Sequence, residues 1–403
     1  MPYKLNDCVV GDGDAGFQEF LARAHTGKLR PVCLCRPRGA EMYVARLEGQ
    51  YIIKRMPDTG HLHSPDCDSY DPPPELSGLG QLVGGAIQNN PSDGTVALKL
   101  GFSLAKSTTP RAAPASSGET KPESVKTEGS KLSLRGLLHL LWEHAGFNRW
   151  SPSMVGKRTW PVIQRHLKQA AMDKVAKGGN LSEQIYIPEP FYIERKDEIS
   201  QRRRAQMLRL TPGGKGSKQL MLVVGEVKEI AASRYGHKVV LKHCPDYHFM
   251  LADDIHRRMF KAFGEQLAMW DALEDSHLMM VGTFGCGPTG VASIESLALM
   301  NVTADWLPFE NQFEKELVDR LVGQGRRFLK GMRYNLASNC PMASAVLTDV
   351  GDDPVAMYLV WPGAGEEYEQ KLNALMTESK ISHWVWRVDE AMPDFVSNHI
   401  GAE

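Results

Sequence analysis

CLCRPRGAEMYVARLEGQYIIKRMPDTGHLHSPDC, residues 33–67, decides how the N-terminal part of the chain folds. Its ends carry two pairs of metal-ligating residues, Cys33 with Cys35 and His63 with Cys67. The residues between them alternate as in a β-hairpin, which returns its two ends to one place. Three thiolates and one imidazole at that place would form the tetrahedral shell of a structural zinc site. The stretch therefore predicts a zinc-binding β-hairpin module.

Two alternatives remain open for this stretch. His61, two residues before His63, competes for the fourth ligand position. Cysteines beside a strand can also be small buried hydrophobic residues that bind no metal. The other cysteines are scattered along the chain at Cys8, Cys244, Cys286 and Cys340. The odd total of 7 cysteines argues against a disulfide framework and favours a reducing compartment.

Length and composition are those of an ordinary water-soluble protein. The chain has 403 residues, of which 42% are hydrophobic and 24% are charged, enough for two or three domains. Its longest apolar runs are no longer than a strand, and the first residues, MPYKLNDCVVGDGD, lack the basic and apolar regions of a signal peptide. We therefore expect a cytoplasmic protein that does not associate with membranes.

Changes in composition divide the chain into four parts. Residues 1–104 form the predicted zinc-binding domain. Residues 105–131 contain one large apolar residue, Val125, and cannot bury enough surface to offset the entropy of ordering, so we expect a flexible linker. Residues 132–304 are predicted to form a central α+β domain and residues 305–403 a C-terminal domain. The predicted fold class is therefore α+β with several domains.

The predicted central domain is basic. Between Leu134 and Lys218 there are 16 lysines and arginines against 7 aspartates and glutamates, a net charge of +9, whereas the whole chain carries −1. The run Arg202-Arg203-Arg204 is its densest part. Charge runs are often solvated loops, but a charge of this size suits contact with phosphates. We expect these arginines to bind nucleic acid, DNA in preference to RNA.

One apolar strand of this domain, QLMLVVGEVKEI, ends near Glu226-Val227-Lys228. Glu-x-Lys in such a place is half of a metal-nuclease signature, in which the carboxylate binds magnesium and the lysine orients the attacking water. No companion aspartate lies on a neighbouring predicted strand, so Glu226 and Lys228 are more typical of a surface pair. A helix over residues 252–273 and two strands follow, which indicates an α+β layer.

The last hundred residues predict the element order αβββαβ. This order resembles the core of the restriction-endonuclease-like fold, the PD-(D/E)xK superfamily. In that family an acidic residue on the first helix, an aspartate on the second strand and Glu-x-Lys on the third strand surround the metal. The resemblance places Glu314 or Glu316 at the helix position and Asp349 at the second-strand position.

The third strand departs from that pattern. It reads AMYLVWPG and contains neither glutamate nor lysine, so Glu367 and Lys371 on the next helix are the available substitutes. Residues 305–403 hold 9 basic and 16 acidic side chains, a net charge of −7 that repels phosphate in the absence of metal. We expect a nuclease-like fold without nuclease chemistry.

The chain is also similar to an uncharacterised bacterial family, the domain of unknown function 1173. The resemblance rests on Cys33, Cys35 and Cys67, on GEVKEI after an apolar strand, and on FLKGMRYN followed by VLTD. It covers nearly the whole chain apart from the linker. Members resemble proteins carried on plasmids and integrative elements, and no activity is attached to them. The resemblance implies the zinc ligands, a mobile-element setting, and other mobile-element proteins as candidate partners.

Two functions follow from these observations. The first is a non-catalytic, zinc-containing nucleic-acid-binding protein. The alternative is a magnesium-dependent nuclease that uses Asp349 and Glu316 with Lys371, or Glu226 with Lys228. The third strand, which lacks the metal-binding glutamate, favours the first function.

Overall fold

The computed structural model describes residues 1–47, 49–106, 129–210, 218–234, 236–287 and 290–395. Most of the predicted linker, residues 107–128, lies outside these ranges. Within them the chain is a mixed α+β structure with eight α-helices and several sheets. None of these helices is long and apolar enough to cross a membrane.

The N-terminal module is a five-stranded antiparallel sheet with one helix against it. Its elements are β1 (Pro2–Leu5), β2 (Cys8–Gly11), α1 (Phe17–Thr26), β3 (Val32–Cys33), β4 (Ala40–Leu47) and β5 (Gln50–Arg55). The strand order is β2-β1-β3-β4-β5, so the predicted hairpin β4–β5 forms one edge. Phe20, Leu21 and Met42 belong to a small cluster of buried side chains in the module. A core of this size stabilises a fold weakly without further restraint.

The next segment contains short strands and the helices that cover the centre of the molecule. Its elements are β6 (Ile87–Asn90), β7 (Thr95–Leu98), β8 (Ala105–Lys106), α2 (Leu134–His144), β9 (Arg149–Trp150), α3 (Trp160–Met172), β10 (Lys174–Ala176), β11 (Gly179–Asn180), α4 (Leu181–Gln184), β12 (Ile185–Tyr186) and α5 (Lys196–Met207). Strands β6 and β7 share a sheet with β10 and β11 and a hydrophobic cluster with the central part of the chain. Residues 87–98, placed by the sequence in the N-terminal domain, thus pack with the central part.

The central part is organised around a closed five-stranded barrel. The elements of this part of the chain are β13 (Lys218–Gln219), β14 (Met221–Ser233), β15 (Gly236–Leu241), β16 (Cys244–Leu251), α6 (Asp253–Ala272), β17 (Ser276–Cys286), β18 (Ala292–Thr303) and β19 (Pro308–Phe309). The barrel consists of β14, β15, β16, β17 and β18. Pairing runs β14-β15-β16-β18-β17 and returns to β14, and β16–β18 is its one parallel pair. Helix α6 lies between the third and fourth barrel strands in the chain. A five-stranded Greek-key barrel of this kind is an OB-type fold.

Strand β14 closes the barrel because its two halves pair with different neighbours. Residues 221–226 pair with β17, and Val227 together with residues 229–233 pairs with β15. The register shifts between Val227 and Glu229, which leaves Lys228 as an extra residue at a β-bulge. The Glu226-Val227-Lys228 segment therefore lies where the strand passes from one neighbour to the other.

Helix α2 packs against this barrel. Nine of its eleven residues are buried, and it contacts β17 and β18 as well as α3. A helix that is apolar on nearly all sides is stable in water only when it is enclosed in this way.

Helix α5 is attached to the third barrel strand by a buried ion pair. Its buried residues are Ile199, Arg203 and Met207, four residues apart on one face. Arg203 donates two hydrogen bonds, of 2.8 and 2.9 Å, to the carboxylate of Asp246 on β16. The Arg203 guanidinium also lies 4.9 Å from the ring of Tyr247. These contacts place a basic helix beside the barrel.

The C-terminal part has the predicted element order αβββαβ. Its elements are α7 (Gln312–Gly323), β20 (Phe328–Lys330), β21 (Ala345–Leu347), β22 (Val355–Val360), α8 (Glu366–Ser379) and β23 (Ser382–Arg387). The sheet order is β23-β22-β21-β20-β9, with β22 and β23 parallel. The element order is confirmed, whereas a restriction-endonuclease core stays a prediction. Strand β9 joins this sheet from the preceding segment of the chain.

We expect Arg203→Ala to lower the free energy of unfolding by about 3 kcal/mol, because it leaves the Asp246 carboxylate largely buried without its partner. Arg204→Ala alters an exposed arginine of the same helix and should leave the free energy nearly unchanged. Denaturant unfolding of both variants measures the difference. Equal effects would contradict the attachment of α5 through Arg203.

Candidate functional site

The four ligands predicted from the sequence lie together in the N-terminal module. The ligand atoms of Cys33, Cys35, His63 and Cys67 all lie within 4.8 Å of one another. The Cys33 and Cys67 sulfurs are 3.9 Å apart, and His63 Nδ1 lies 3.4 Å from the Cys35 sulfur and 3.7 Å from the Cys67 sulfur. Sulfur ligands on a tetrahedral zinc ion are about 3.8 Å apart, given zinc–sulfur bonds of about 2.3 Å. The arrangement is compatible with a structural zinc site.

The backbone around the cluster brings these side chains together. Strand β3 ends at Cys33, and the β4–β5 hairpin returns the chain to a 3₁₀ turn, Gly60–Leu62, that directly precedes His63. The amides of Ser64 and Ser69 donate hydrogen bonds of 3.4 Å to the sulfurs of Cys35 and Cys67. Amide donors aimed at sulfur stabilise thiolates, the form in which cysteine binds metal.

The structure decides between the two histidines. His63 is fully buried with Nδ1 facing the sulfurs, whereas His61 is exposed and lines a neighbouring cleft. Hydrogen bonding with Cys33 and then with His63 lowers the pKa of the Cys67 thiol, whereas the same contact with Cys67 and then burial raise the pKa of the Cys33 thiol. Of these two thiols, that of Cys67 is therefore the one favoured in the metal-binding form.

A cleft of about 750 Å³ lies between the module and the central part of the chain. Each lysine and arginine that lines it pairs with a carboxylate: Lys54 and Lys174 with Asp173, and Arg55 and Arg149 with Asp71. Two of these pairs join β5 to residues beyond the module. Asp58 and Asp68 also line the cleft, so its lining has no excess of positive charge that would attract an anion such as phosphate.

Glu226 and Lys228 do not pair with each other. The Glu226 carboxylate lies 2.7 Å from His277 Nδ1 and accepts a hydrogen bond of 2.9 Å from Lys242. Burial opposes ionisation of Glu226, but the hydrogen bonds from His277 and Lys242 hold its pKa below the usual range. Glu226 is buried and Lys228 is exposed. Through these contacts Glu226 joins β14 to His277 on β17 and to Lys242, the residue after β15.

Asp349 and Glu314 are occupied by buried cations. Asp349 accepts two hydrogen bonds from Arg326, of 2.7 and 2.9 Å. Glu314 lies 3.3 Å from Lys330 and accepts a hydrogen bond of 3.1 Å from Ser344. Carboxylates neutralised in this way are poor ligands for magnesium, because magnesium would have to displace the buried cation that already pairs with them.

The remaining nuclease candidates lie on the surface. Glu316 is exposed on α7, and Lys371 pairs with Glu367 on α8 at 2.6 Å. Over the parts of the chain that the structure describes, the Cys₃His cluster is the one group of three or more histidine, cysteine and acidic residues that could hold a metal ion. Within those parts of the chain, Asp349 does not belong to any such group.

The arginine run divides between the interior and the surface. Arg203 is buried, whereas Arg202 and Arg204 are exposed. Arg202 donates hydrogen bonds of 2.8 and 2.9 Å to Glu189, and Arg204 forms no ion pair with a described carboxylate. Two of the three predicted phosphate contacts thus face solvent.

Strands β15 and β16 are absent from the sequence-based prediction. Their sequences, GHKVVL and CPDYHFML, contain β-branched and aromatic residues typical of strands, and this pattern could have indicated them. Without these two strands, the barrel cannot be recognised from the sequence.

One family profile matches residues 3–389 of the chain, that of the Protein of unknown function (DUF1173). The chain belongs to this family. No curated protein and no solved structure matches it. The predicted membership of DUF1173 is confirmed, while the mobile-element setting stays a prediction.

The segments that carry the DUF1173 resemblance, apart from the cysteines, have structural roles here. GEVKEI contains the bulge at which β14 changes its neighbour. In FLKGMRYN, the Tyr334 amide donates a hydrogen bond of 2.9 Å to His139, and Asn335 accepts one of 2.7 Å from Ser133. VLTD ends with Asp349, which pairs with a buried arginine. The contacts of Tyr334 and Asn335 join the C-terminal part to helix α2 and to Ser133, its N-cap residue.

We expect Asp349→Asn to destabilise the protein by about 3 kcal/mol, because Arg326 would remain buried without its charge partner. Glu316→Gln, on the exposed side of α7, is the matched control and should leave the melting temperature unchanged. Thermal unfolding compares the two variants. An unchanged melting temperature for Asp349→Asn would show that the carboxylate is free for another role.

Proposed function

We propose that this protein binds single-stranded nucleic acid through its barrel and the basic helix α5, and that zinc bound by the Cys₃His cluster holds the N-terminal module in shape. The closed OB-type barrel is the observation that carries the proposal. Barrels of this type bind oligonucleotides on the face of their second and third strands, which are β15 and β16 here. DNA is the favoured partner over RNA.

Helix α5 adds positive charge beside that face. Arg203 bonds to Asp246 of β16, so Arg202 and Arg204 are held on either side of the attachment point. Among the described residues between Leu134 and Lys218, the exposed lysines and arginines are Lys157, Arg165, Lys168, Lys177, Arg195, Lys196, Arg202, Arg204 and Lys218. Contact with phosphates through such side chains releases counterions and gives affinity that falls steeply with salt.

The Cys₃His cluster fits zinc by its donor set. Thiolate and imidazole ligands are those of structural zinc sites, and four protein ligands leave no position open for substrate. The zinc ion, when bound, would supply cross-links that the small core of the module lacks. Its role in the proposal is therefore structural.

The alternative of a magnesium-dependent nuclease is supported less well. Asp349 pairs with the buried Arg326, and Glu226 pairs with Lys242 and His277. Glu316 and Lys371 are exposed on separate helices. We therefore propose binding without cleavage.

Replacing Arg202 and Arg204 together by Ala should weaken binding to labelled single-stranded DNA roughly tenfold at low salt. It should also flatten the dependence of log affinity on log salt by up to about two units, because two phosphate contacts are lost. Fluorescence anisotropy across a salt series measures both quantities. The same strands, incubated with magnesium or manganese, should remain intact on a denaturing gel.

The matched control replaces Lys371 and Arg387 by Ala, which removes the same charge from the acidic C-terminal part. It should leave affinity and salt dependence unchanged. Salt-independent binding, no binding at low ionic strength, or equal losses in both double variants would contradict the proposed interface. Cleavage that requires magnesium and is lost in Asp349→Asn would support the nuclease alternative instead.

For the metal, we expect close to one equivalent of zinc in purified protein, because four ligands converge on one point. Cys33→Ser, Cys67→Ser and His63→Ala should each lose zinc and lower the melting temperature of the module. His61→Ala keeps all four ligands and is the control. Elemental analysis and thermal unfolding provide the measurements, and a metal-free, well-folded wild-type protein would refute the zinc assignment.

A further inference from the structure

Three aromatic rings form a continuous stack at one side of the barrel, called the ring stack here. It consists of His237 on β15 and of His256 and Phe260 on α6. The two imidazoles are parallel, with centroids 3.5 Å apart and an interplanar angle of 6°. The Phe260 ring follows at 4.7 Å from His256, tilted by 54°. The stack connects the covering helix to the second barrel strand.

Phe260 is the exposed end of the ring stack. Its side chain is 49% exposed, although large apolar side chains are usually buried and its neighbours Met259 and Phe263 on the same helix are. Single exposed apolar residues are common, so exposure by itself assigns no role. Open space and exposed positive charge near the ring distinguish Phe260 from an ordinary exposed apolar residue.

The surface beyond Phe260 is kept open by a glycine. Gly264 stands four residues after Phe260, and a Cβ atom built there would meet nothing within 4 Å. Phe263, between the two residues, has non-helical backbone angles (φ −132°, ψ 24°), so α6 is kinked at this point. His256 contacts the ring from the preceding turn, whereas the side toward Gly264 is uncovered. The space next to the ring can therefore accept another flat group.

Unpaired positive charge flanks this open ring. Arg257 and Lys261 are exposed, and neither forms an ion pair with a described carboxylate. Of the acidic residues at the start of α6, Asp254 pairs with Arg258 at 2.7 Å, and Asp253 lies 3.5 Å from His237. Arg257, one helical turn before Phe260, and Lys261, next to it in the chain, place positive charge in the neighbourhood of the ring, and a single strand alternates base and phosphate in the same way.

We infer that the ring stack is a base-stacking site for single-stranded nucleic acid, with a base on the open side of Phe260 and the adjoining phosphates on Arg257 and Lys261. This inference rests on the proposed function and names a contact outside the arginine run. The stack includes His237 at the start of β15, one of the two strands of the proposed binding face.

Phe260→Ala tests the inference directly. Loss of one base–aromatic contact should lower affinity for single-stranded DNA about 5- to 150-fold, the range that corresponds to one stacked base. The salt dependence should stay the same, because no cation is removed. Phe260→Trp should retain or increase affinity, since its larger ring also stacks. Val155→Ala, at an exposed aliphatic residue elsewhere, is the control and should bind as wild type.

A second pair of variants changes access to the ring without changing the ring. Gly264→Leu should lower affinity, because a bulky side chain would fill the open space that a glycine leaves at this exposed position near Phe260. Gly264→Ala, whose methyl group is too short to cover the ring, should bind as wild type. Both substitutions replace glycine by better helix formers, so neither is expected to unfold α6.

A strand containing abasic sites separates stacking from charge. Wild-type protein should bind a homothymidine strand more tightly than its abasic counterpart, and Phe260→Ala should lose most of that preference. If wild-type protein binds DNA but Phe260→Ala and Gly264→Leu bind equally well, the ring-stack inference is overturned and the proposed function stands. If wild-type protein binds no single strand at low salt, the proposed function fails and the inference with it.

Discussion

The double pairing of strand β14 is the constraint on which the centre of the molecule depends. Its first half pairs with β17 and its second half with β15, so one strand closes both edges of a five-stranded sheet. The bulge at Lys228 allows the bend. Glu226, directly before the bulge, bonds to His277 on β17 and to Lys242 beyond β15. A segment that resembles half of a nuclease signature is thereby explained by barrel closure.

The distribution of paired and unpaired charge separates structural from functional residues. Buried cations such as Arg203 and Arg326 each bind a carboxylate, and losing one partner would leave a buried charge uncompensated. Exposed cations such as Arg204, Arg257 and Lys261 have no such partner among the described residues. Free charge of this kind costs little to keep in solvent and is available to phosphates. The proposed interface combines that second group with Arg202, an exposed arginine that pairs with Glu189.

The N-terminal module illustrates how a small core limits a fold. Helix α1 and its sheet bury a small cluster that includes Phe20 and Leu21. The side chains of Cys33, Cys35, His63 and Cys67 bring both ends of the hairpin to one place. The proposed zinc ion would cross-link them there, and such cross-links stabilise small domains that cannot bury enough apolar surface. The cleft ion pairs then attach the module to the rest of the chain.

The sequence by itself determined what depends on local spacing: the ligand pairs, the long helix α6 and the C-terminal element order. Tertiary structure alone decided which histidine faces the sulfurs, that Arg203 points inward while its neighbours do not, and that Asp349 meets Arg326. It also decided the barrel, because pairing between Glu226 and Met279 joins residues far apart in the chain. Local periodicity reports which face of an element is apolar, but not which distant element covers it.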